Sequence, residues 1–168
     1  VHFPIWHQEI EDIIVLKNNK GTEDNRVRKL DYSIQLSKLF YERFINDEDI
    51  TLFSPHDVPD LYDAFGTEGF DELYEKYERA YSIPKKKINA RTLFMDLLKE
   101  RAETGRIYIM NVDHSNSHSS FLDKVSMSNL CQEITLPTKP ISHPDDEDGE
   151  IALCILSAIN VGSIKLEE

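Results

Sequence analysis

The stretch that most constrains the fold is the apolar run IALCILSAINVG at residues 151–162. It is too short to cross a bilayer as a helix, because a span needs about 20 predominantly apolar residues. A strand this apolar instead needs neighbours on both of its faces, as in the sheets of α/β proteins. We therefore predict a buried strand over residues 150–164, and we expect the chain to be a piece of a larger protein with no membrane association.

Helix-like and strand-like patterns alternate before this run. Apolar residues at helical spacing predict helices around residues 6–14, 39–44, 70–81 and 90–98, and apolar alternation or continuity predicts strands at residues 30–36, 50–53 and 106–112. Ser37 is a predicted cap, while Gly21 and Gly105 are predicted helix stops. The order of elements predicts an α/β fold with a largely parallel arrangement of strands.

The charge and cysteine content exclude several classes of protein. The net charge of −12 argues against nucleic-acid binding, which usually leaves a basic stripe on the surface. Two cysteines are too few for a disulfide scaffold in a chain of this size, although a single bridge between Cys131 and Cys154 remains open. A reducing compartment fits this cysteine content better, and we expect a cytoplasmic protein.

The segment SNLCQEITLP carries an amide, a thiol and a carboxylate at every second position: Asn129, Cys131 and Glu133. Pro137 and Pro140 disfavour a helix here, so we predict an extended segment. In an extended chain these three side chains point to one face, about 7 Å apart at a rise of ~3.3 Å per residue. Such a wall suits acid–base and thiol chemistry. The alternative is that Cys131 is a small buried hydrophobe.

Cys154 lies inside the apolar run, where a core role is the simplest interpretation unless another thiol faces it.

Two other clusters hold chemically competent residue types. His114 and His118 sit four residues apart, but they follow a predicted strand and have no obvious third ligand, so we predict a polar loop and no metal site. Ser54, His56 and Asp57 have the composition of a hydrolytic triad. Proximity in sequence is weak support for a triad, and SPHDVP is better explained as the start of a helix capped by Ser54 or Asp57.

Five blocks along the chain resemble, in order, the large catalytic subunit of class I ribonucleoside-diphosphate reductases. They are FPIWHQEIEDIIVLKNNKG, NRVRKLDYSIQLSKLFYERF, DITLFSPHDVPDLYDAF, ERAETGRIYIMNVDH, and SNLCQEITLPTKP with GEIALCILSAINVG. The blocks SPHDVP and TGRIYIMNVDH favour class I over the glycyl-radical and cobalamin-dependent relatives. The resemblance runs from Val1 to about Ile164, and only the closing KLEE departs from it.

The resemblance implies a ten-stranded α/β barrel with an active-site finger loop threaded into its centre. Residues 1–168 are then a partial catalytic barrel domain. The nucleotide-binding cone and the C-terminal part of the barrel are missing from the chain. Alone, the chain is expected to be inactive.

The resemblance also assigns roles to residues. Asn129, Cys131 and Glu133 match the finger motif: Cys131 becomes a thiyl radical that removes the C3′ hydrogen of a ribonucleoside diphosphate, Glu133 is the general base, and Asn129 hydrogen-bonds the substrate. Cys154 matches one cysteine of the redox-active disulfide pair, whose partner is absent because the chain has no third cysteine.

Partners and cofactors follow from the same resemblance. No cofactor is expected on this chain itself. A metal-containing small subunit supplies the radical, thioredoxin or glutaredoxin is the reductant, and ATP and dNTP effectors bind elsewhere in the large subunit. A second large subunit or the complementary half of a split subunit are further expected partners. The alternative from a different class is a non-catalytic acidic interaction module with structural cysteines.

Overall fold

A computed structural model of the chain describes residues 1–164; the closing KLEE at 165–168 lies outside the described residues. Within the described part the strands are β1 (His2–Pro4), β2 (Tyr32–Leu36), β3 (Asp49–Phe53), β4 (Lys85–Asn89) and β5 (Ile107–Asn111). The α-helices there are α1 (Ile10–Ile14), α2 (Lys38–Asn46), α3 (Pro59–Ala64), α4 (Phe70–Arg79), α5 (Ala90–Thr104) and α6 (Val112–Ser117). Short 3₁₀ turns occupy Glu23–Asn25 and Val161–Ser163.

The strands form two separate sheets. In the first sheet, β1, β2 and β5 are parallel in the order β1-β2-β5, and Ile34 lies opposite Phe3 and Ile109. In the second, β3 and β4 pair antiparallel, with Ile50 opposite Ile88. The α/β class is confirmed, and the antiparallel pair is the departure from a largely parallel arrangement.

The core lies between the parallel sheet and the helices that follow its strands. Tyr32, Ile34 and Leu36 of β2 point into one apolar cluster, which also includes buried residues of α1, α2 and α5. A second cluster surrounds Trp6 and Phe53 and is closed by α3 and α4. Because β2 is buried along its whole length, its polar side chains on the other face must also find partners inside the protein.

Two predicted helix ends are found where the sequence places them. Ser37 caps α2, since its Oγ accepts a hydrogen bond from the backbone N–H of Phe40 at 3.4 Å. Gly105 ends α5 in the left-handed conformation with φ of +66°, which a residue without Cβ adopts at low cost.

Four local predictions are wrong, and one strand is missed. The first helix, α1, ends at Ile14, well before the predicted stop at Gly21. The first helix starts at Ile10, whereas Trp6 lies in the turn after β1 and is buried against Phe65. The missed strand is β4. Its sequence, KKKIN, lacks apolar alternation, and the strand forms through its pairing with β3. A helix, α6, occupies the predicted polar loop after β5. Neither Ser54 nor Asp57 caps α3, which begins after Val58 without a side-chain cap.

The predicted buried strand at residues 150–164 is also wrong for this chain. Residues 151–160 form no helix or strand, and their large apolar side chains face solvent, with Ile155 99% exposed and Leu153 81% exposed. The apolar pattern is real, but residues 1–150 provide no surface that covers it. Among residues 1–164, no helix has both the length and the apolar character of a membrane span.

Candidate active site

The polar face of the central strand β2 supports a chain segment that runs across the sheet. Side chains alternate along a strand, so Ser33 and Gln35 point away from the core that holds Tyr32, Ile34 and Leu36. Both polar residues are almost fully buried. Gln35 Nε2 donates a hydrogen bond to the carbonyl oxygen of Ser126 at 2.9 Å. The face of the sheet opposite the core is therefore covered by the segment that leads to Cys131.

Asn116 of α6 fixes the start of this segment. Its Oδ1 accepts from the backbone N–H of Val125 at 2.8 Å, and its Nδ2 donates to the Val125 carbonyl at 3.1 Å. The same Nδ2 donates to the carbonyl of Val112 at 2.9 Å. Val125 is buried in the second apolar cluster, so one residue is held by both its backbone and its side chain.

His2 of β1 contacts the other end of the segment. Its Nδ1 is hydrogen-bonded to Ser33 Oγ, and its Nε2 lies 3.0 Å from the carbonyl oxygen of Ser128. Burial lowers the pKa of His2, which opposes the upward effect of the hydrogen bond to Ser128. The imidazole is therefore neutral around pH 7 and has one donor and one acceptor nitrogen.

The residues Asn129 to Ile134 form a turn, so the predicted extended wall is wrong. Asn129 Oδ1 accepts from the backbone N–H of Ile134 at 2.9 Å, and the Asn129 N–H donates back to the Ile134 carbonyl at 3.3 Å. Gln132 takes a left-handed backbone with φ of +66°, which reverses the chain. Asparagine commonly forms such local side-chain-to-backbone bonds, and this one replaces strand geometry.

The turn carries three of the predicted site residues, and the fourth, Cys154, belongs to the apolar stretch at residues 151–160. Cys131 and Glu133 are exposed on the turn, while Asn129 is half-buried at its base. Both cysteines are free, so the open possibility of a Cys131–Cys154 bridge is not realised. Cys154 is exposed within this stretch, which forms neither helix nor strand.

A cleft of about 640 Å³ opens beside the turn. Its lining includes the segment from Ser126 to Asn129 and residues 139–141 and 150–152. Lys139 and Glu150 join the last two of these segments through an antiparallel bridge and an ion pair of 2.8 Å. Asn129 lines the cleft, whereas Cys131 and Glu133 stand outside its lining.

The acidic turn HPDDEDGE forms a local hydrogen-bonded loop at the rim of the cleft. Asp146 accepts from the Ser142 hydroxyl at 2.6 Å, from the Ser142 N–H at 2.8 Å and from the Asp148 N–H at 3.0 Å. These bonds to the charged form lower the pKa of Asp146 to about 2.

The remaining candidate clusters do not assemble into sites. His114 of α6 and His118, which directly follows this helix, have ring centroids 5.6 Å apart, yet residues 1–164 contain no group of three side chains that could hold a metal ion. Ser54 and Asp57 are joined through the backbone, where the Asp57 N–H donates to the Ser54 carbonyl at 3.0 Å.

The residues that sequence reasoning missed are those that hold the turn in place: His2, Ser33, Gln35 and Asn116. For Ser33 and Gln35 a signal was present, since both lie in a strand predicted from its apolar positions, and the polar positions of a central strand need internal partners. His2 and Asn116 gave no such signal, because their partners lie far along the chain or across a turn.

Comparison with known proteins decides the family. Residues 1–167 match the family described as the ribonucleotide reductase barrel domain, a match that extends past Ile164 into the closing residues. The chain belongs to this ribonucleotide reductase family. The predicted resemblance and the barrel-domain class are both confirmed by this match.

The reductase relatives are similar over nearly the whole chain. The ribonucleoside-diphosphate reductase subunit alpha of Buchnera aphidicola subsp. Baizongia pistaciae is 58% identical over 98% of this chain. The ribonucleoside-diphosphate reductase 1 subunit alpha of Escherichia coli K12 is 57% identical over 83% of the chain, and the subunit alpha of Enterobacteria phage T4 is 46% identical over 94%. This reductase chain covers 22%, 19% and 21% of those proteins, so it spans about a fifth of their length.

Proposed function

We propose that residues 1–168 form part of the catalytic barrel of a class I ribonucleoside-diphosphate reductase large subunit. Such an enzyme reduces ribonucleoside diphosphates to 2′-deoxyribonucleoside diphosphates for DNA synthesis. The observation that carries the proposal is the turn 129–134, which presents an amide, a thiol and a carboxylate at the end of a segment fastened to a parallel sheet. The family match supports the same assignment. The nucleotide-binding cone and the rest of the barrel belong to other parts of the protein.

Cys131 starts the chemistry in this proposal. Its exposed thiol loses a hydrogen atom to the radical relay, and the resulting thiyl radical removes the hydrogen at C3′ of the substrate. The S–H bond forms as the C3′–H bond breaks, which leaves a carbon radical beside the 2′-hydroxyl. At the end of the cycle Cys131 returns the hydrogen atom to C3′. A position on a turn suits this role, because the thiol must reach a substrate that enters the barrel.

Glu133 and Asn129 act on the hydroxyl groups of the ribose. Glu133 accepts the proton of the 3′-hydroxyl, which makes departure of the 2′-hydroxyl as water feasible from the 3′ radical. Asn129 Oδ1 is already bonded to the Ile134 N–H, which leaves its Nδ2 as the end that donates to the substrate. The turn thereby gives each polar atom of Asn129 a separate task.

Cys154 is proposed as one thiol of the pair that supplies two electrons. Reduction at C2′ converts two thiols into one disulfide and releases the 2′-oxygen as water, and the second thiol comes from outside this chain. Thioredoxin or glutaredoxin then re-reduces the disulfide. Cys154 is exposed in the structure of residues 1–164, so a thiol from another part of the protein can approach it.

The partners of the whole enzyme form part of the same proposal. They are a metal-containing small subunit that supplies the radical, a second large subunit, and ATP and dNTP effectors that bind outside residues 1–168. A complementary polypeptide takes the place of the remaining barrel if the subunit is split. We propose a cytoplasmic location, where thiols stay reduced.

The proposal is tested in the complete large subunit combined with its radical-generating subunit. Cys131→Ser is expected to abolish formation of deoxyribonucleoside diphosphate, and Glu133→Gln to lower kcat by on the order of 100-fold, the lower end of general-base effects. Asp145→Asn is the matched control, because this carboxylate lies in the exposed acidic turn. Substantial turnover by the Cys131→Ser enzyme contradicts the proposed chemistry.

A further inference from the structure

His2 joins the parallel sheet to the residue directly before the active-site turn. Its Nδ1 is bonded to Ser33 Oγ on β2, and its Nε2 lies 3.0 Å from the Ser128 carbonyl oxygen. The imidazole is half-buried, and its two partners, Ser33 and Ser128, lie 31 and 126 positions away from His2 in the sequence. His2 is therefore a bridge between the scaffold and a distant segment.

The two contacts fix the tautomer of the ring. A carbonyl oxygen only accepts, so Nε2 must carry the hydrogen and donate it to Ser128. Nδ1 then has no hydrogen and accepts from the hydroxyl of Ser33. The longer contact of 3.4 Å from the Ser128 N–H to Nε2 is weak by comparison. A neutral imidazole thus satisfies both of its nitrogens without any other group.

The bond to Ser128 reaches the turn through the backbone. The Ser128 carbonyl belongs to the same peptide plane as the N–H of Asn129, so fixing one sets the direction of the other. That N–H and the Asn129 side chain both bond to Ile134, which closes the turn around Cys131. Rigid contacts therefore run from His2 through Ser128 to the base of the turn.

The bond is not needed for the sheet itself. β1 and β2 already pair through their backbones, with His2 opposite Ser33 in the ladder. The side-chain bond to Ser33 orients the ring. Among residues 1–164, Ser128 is the only residue outside the sheet to which the ring is hydrogen-bonded. This arrangement suits a side chain that holds the backbone of Ser128 in place.

We infer that His2 is a positioning residue, which holds Ser128 and thereby sets the orientation of Asn129 and Cys131 toward the substrate. This inference rests on the proposed reductase function. Optimal geometry at the reacting atoms matters because a displacement of about 1 Å can cost two orders of magnitude in rate.

Two conservative substitutions separate the two contacts of the ring. His2→Gln places an amide nitrogen near the position of Nε2 and keeps a donor for Ser128. His2→Asn places an amide oxygen near the position of Nδ1 and keeps only the bond to Ser33. His7→Asn is the matched control, since His7 is also half-buried and its Nδ1 accepts from the backbone of Glu9, away from the turn.

The variants are assayed in the complete large subunit with its radical-generating subunit, on a ribonucleoside diphosphate carrying deuterium at C3′. In His2→Asn we expect kcat to fall by on the order of tenfold, the effect of one lost hydrogen bond of about 1.4 kcal/mol. The isotope effect on kcat should rise, because abstraction at C3′ becomes slower. His2→Gln should keep at least half of the wild-type kcat, and His7→Asn should match the wild type.

These readouts distinguish positioning from loss of folded enzyme. Partial unfolding lowers the amount of active enzyme and leaves both KM and the isotope effect unchanged. Equal losses in His2→Gln and His2→Asn, or a wild-type kcat and isotope effect in His2→Asn, overturn the inference. If His2→Asn does not fold, His2→Leu serves instead: it fills a similar space without a donor for Ser128, so it should lower kcat and raise the isotope effect, and wild-type values overturn the inference.

A failed inference and a failed function give different results. Turnover by Cys131→Ser contradicts the proposed function whatever the His2 variants do. An inactive Cys131→Ser enzyme together with a fully active His2→Asn enzyme overturns only the role of His2.

Discussion

Both ends of the Asn116 side-chain amide are hydrogen-bonded to the backbone of Val125: Oδ1 accepts from the N–H at 2.8 Å, and Nδ2 donates to the carbonyl at 3.1 Å. The pairing resembles one rung of a β-ladder in which a side chain replaces the second strand. It fixes the point where the segment leaves α6 for the turn 129–134. Together with Gln35 and His2, it holds the backbone of this segment at Val125, Ser126 and Ser128.

Asn116→Asp is expected to release the segment. The substitution keeps an acceptor for the Val125 N–H, but it turns an oxygen toward the carbonyls of Val112 and Val125, where the native Nδ2 donates. The lost bonds and unpaired carbonyls should cost about 2 kcal/mol locally. Hydrogen exchange of the Val125 amide in the complete subunit should be faster by on the order of 30-fold. Asn25→Asp on the exposed 3₁₀ turn is the control, and equal exchange in both variants contradicts the prediction.

Gly66→Ala should be more damaging than Gly105→Ala. Both glycines have positive φ, +84° and +66°, so both substitutions strain the backbone by about 1 kcal/mol. A Cβ added at Gly66 also lies close to its neighbours, 3.0 Å from Asn116 Nδ2 and 3.2 Å from Val112 Cβ. A Cβ added at Gly105 has no neighbour within 4 Å. Gly66→Ala should therefore lower both Tm and kcat of the complete enzyme, and Gly105→Ala should lower Tm alone. A wild-type kcat in Gly66→Ala contradicts the link between Gly66 and the segment.

Glu78 should stabilise the protein at neutral pH and lose this effect in acid. Its burial raises its pKa, but the hydrogen bonds from Arg43, at 2.5 and 2.6 Å, and from Thr51 outweigh burial and lower the pKa below the ordinary 4.5. Because the pKa is lower in the folded state, the stabilisation is complete above the unfolded value and disappears as pH falls through the folded value.

Glu78→Gln tests this pH dependence. At pH 7 it should destabilise the region around β3 by about 2 kcal/mol, since it leaves the largely buried Arg43 without its carboxylate. The difference from the wild type should shrink as pH falls below 4.5. Hydrogen exchange of the β3 amides at several pH values measures both effects. Glu75→Gln is the control, because its ion pair with Arg79 is more exposed. A difference that persists undiminished in acid refutes the assignment.

Ile155→Lys should have opposite effects in the isolated chain and in the complete subunit. Ile155 is 99% exposed here within an apolar stretch, and exposed apolar patches promote association. In the isolated 168-residue chain the lysine should reduce self-association, as measured by light scattering. In the complete subunit it should prevent assembly of an active barrel, because the sequence pattern predicts burial there. Ser157→Lys adds the same charge at an exposed polar position and controls for charge.

The sequence predicts elements well where local signals agree. The strand β2, the cap at Ser37 and the left-handed stop at Gly105 are determined by alternation, capping and backbone freedom, which are properties of neighbouring residues. The strand β4 escaped prediction because its lysines face solvent, and only its pairing with β3 makes it a strand.

The proposed active-site region is predictable in composition and less so in shape. Asn129, Cys131 and Glu133 were identified from their residue types and from the family resemblance, but the turn that joins them depends on one side-chain bond, from the Ile134 N–H to Asn129, and on the left-handed Gln132. The role of His2 depends on a partner 126 positions away, and no local pattern contains that information.

We propose above all that Cys131 abstracts the hydrogen atom from C3′. The most direct test is the release of hydrogen isotope from C3′ of a labelled ribonucleoside diphosphate by the complete large subunit and its radical-generating partner, with Cys131 or with Cys131→Ser. We expect label release and deoxyribonucleotide formation with Cys131, and neither above background with serine. Isotope release by the Cys131→Ser enzyme at a rate near that of the wild type would contradict this role of Cys131.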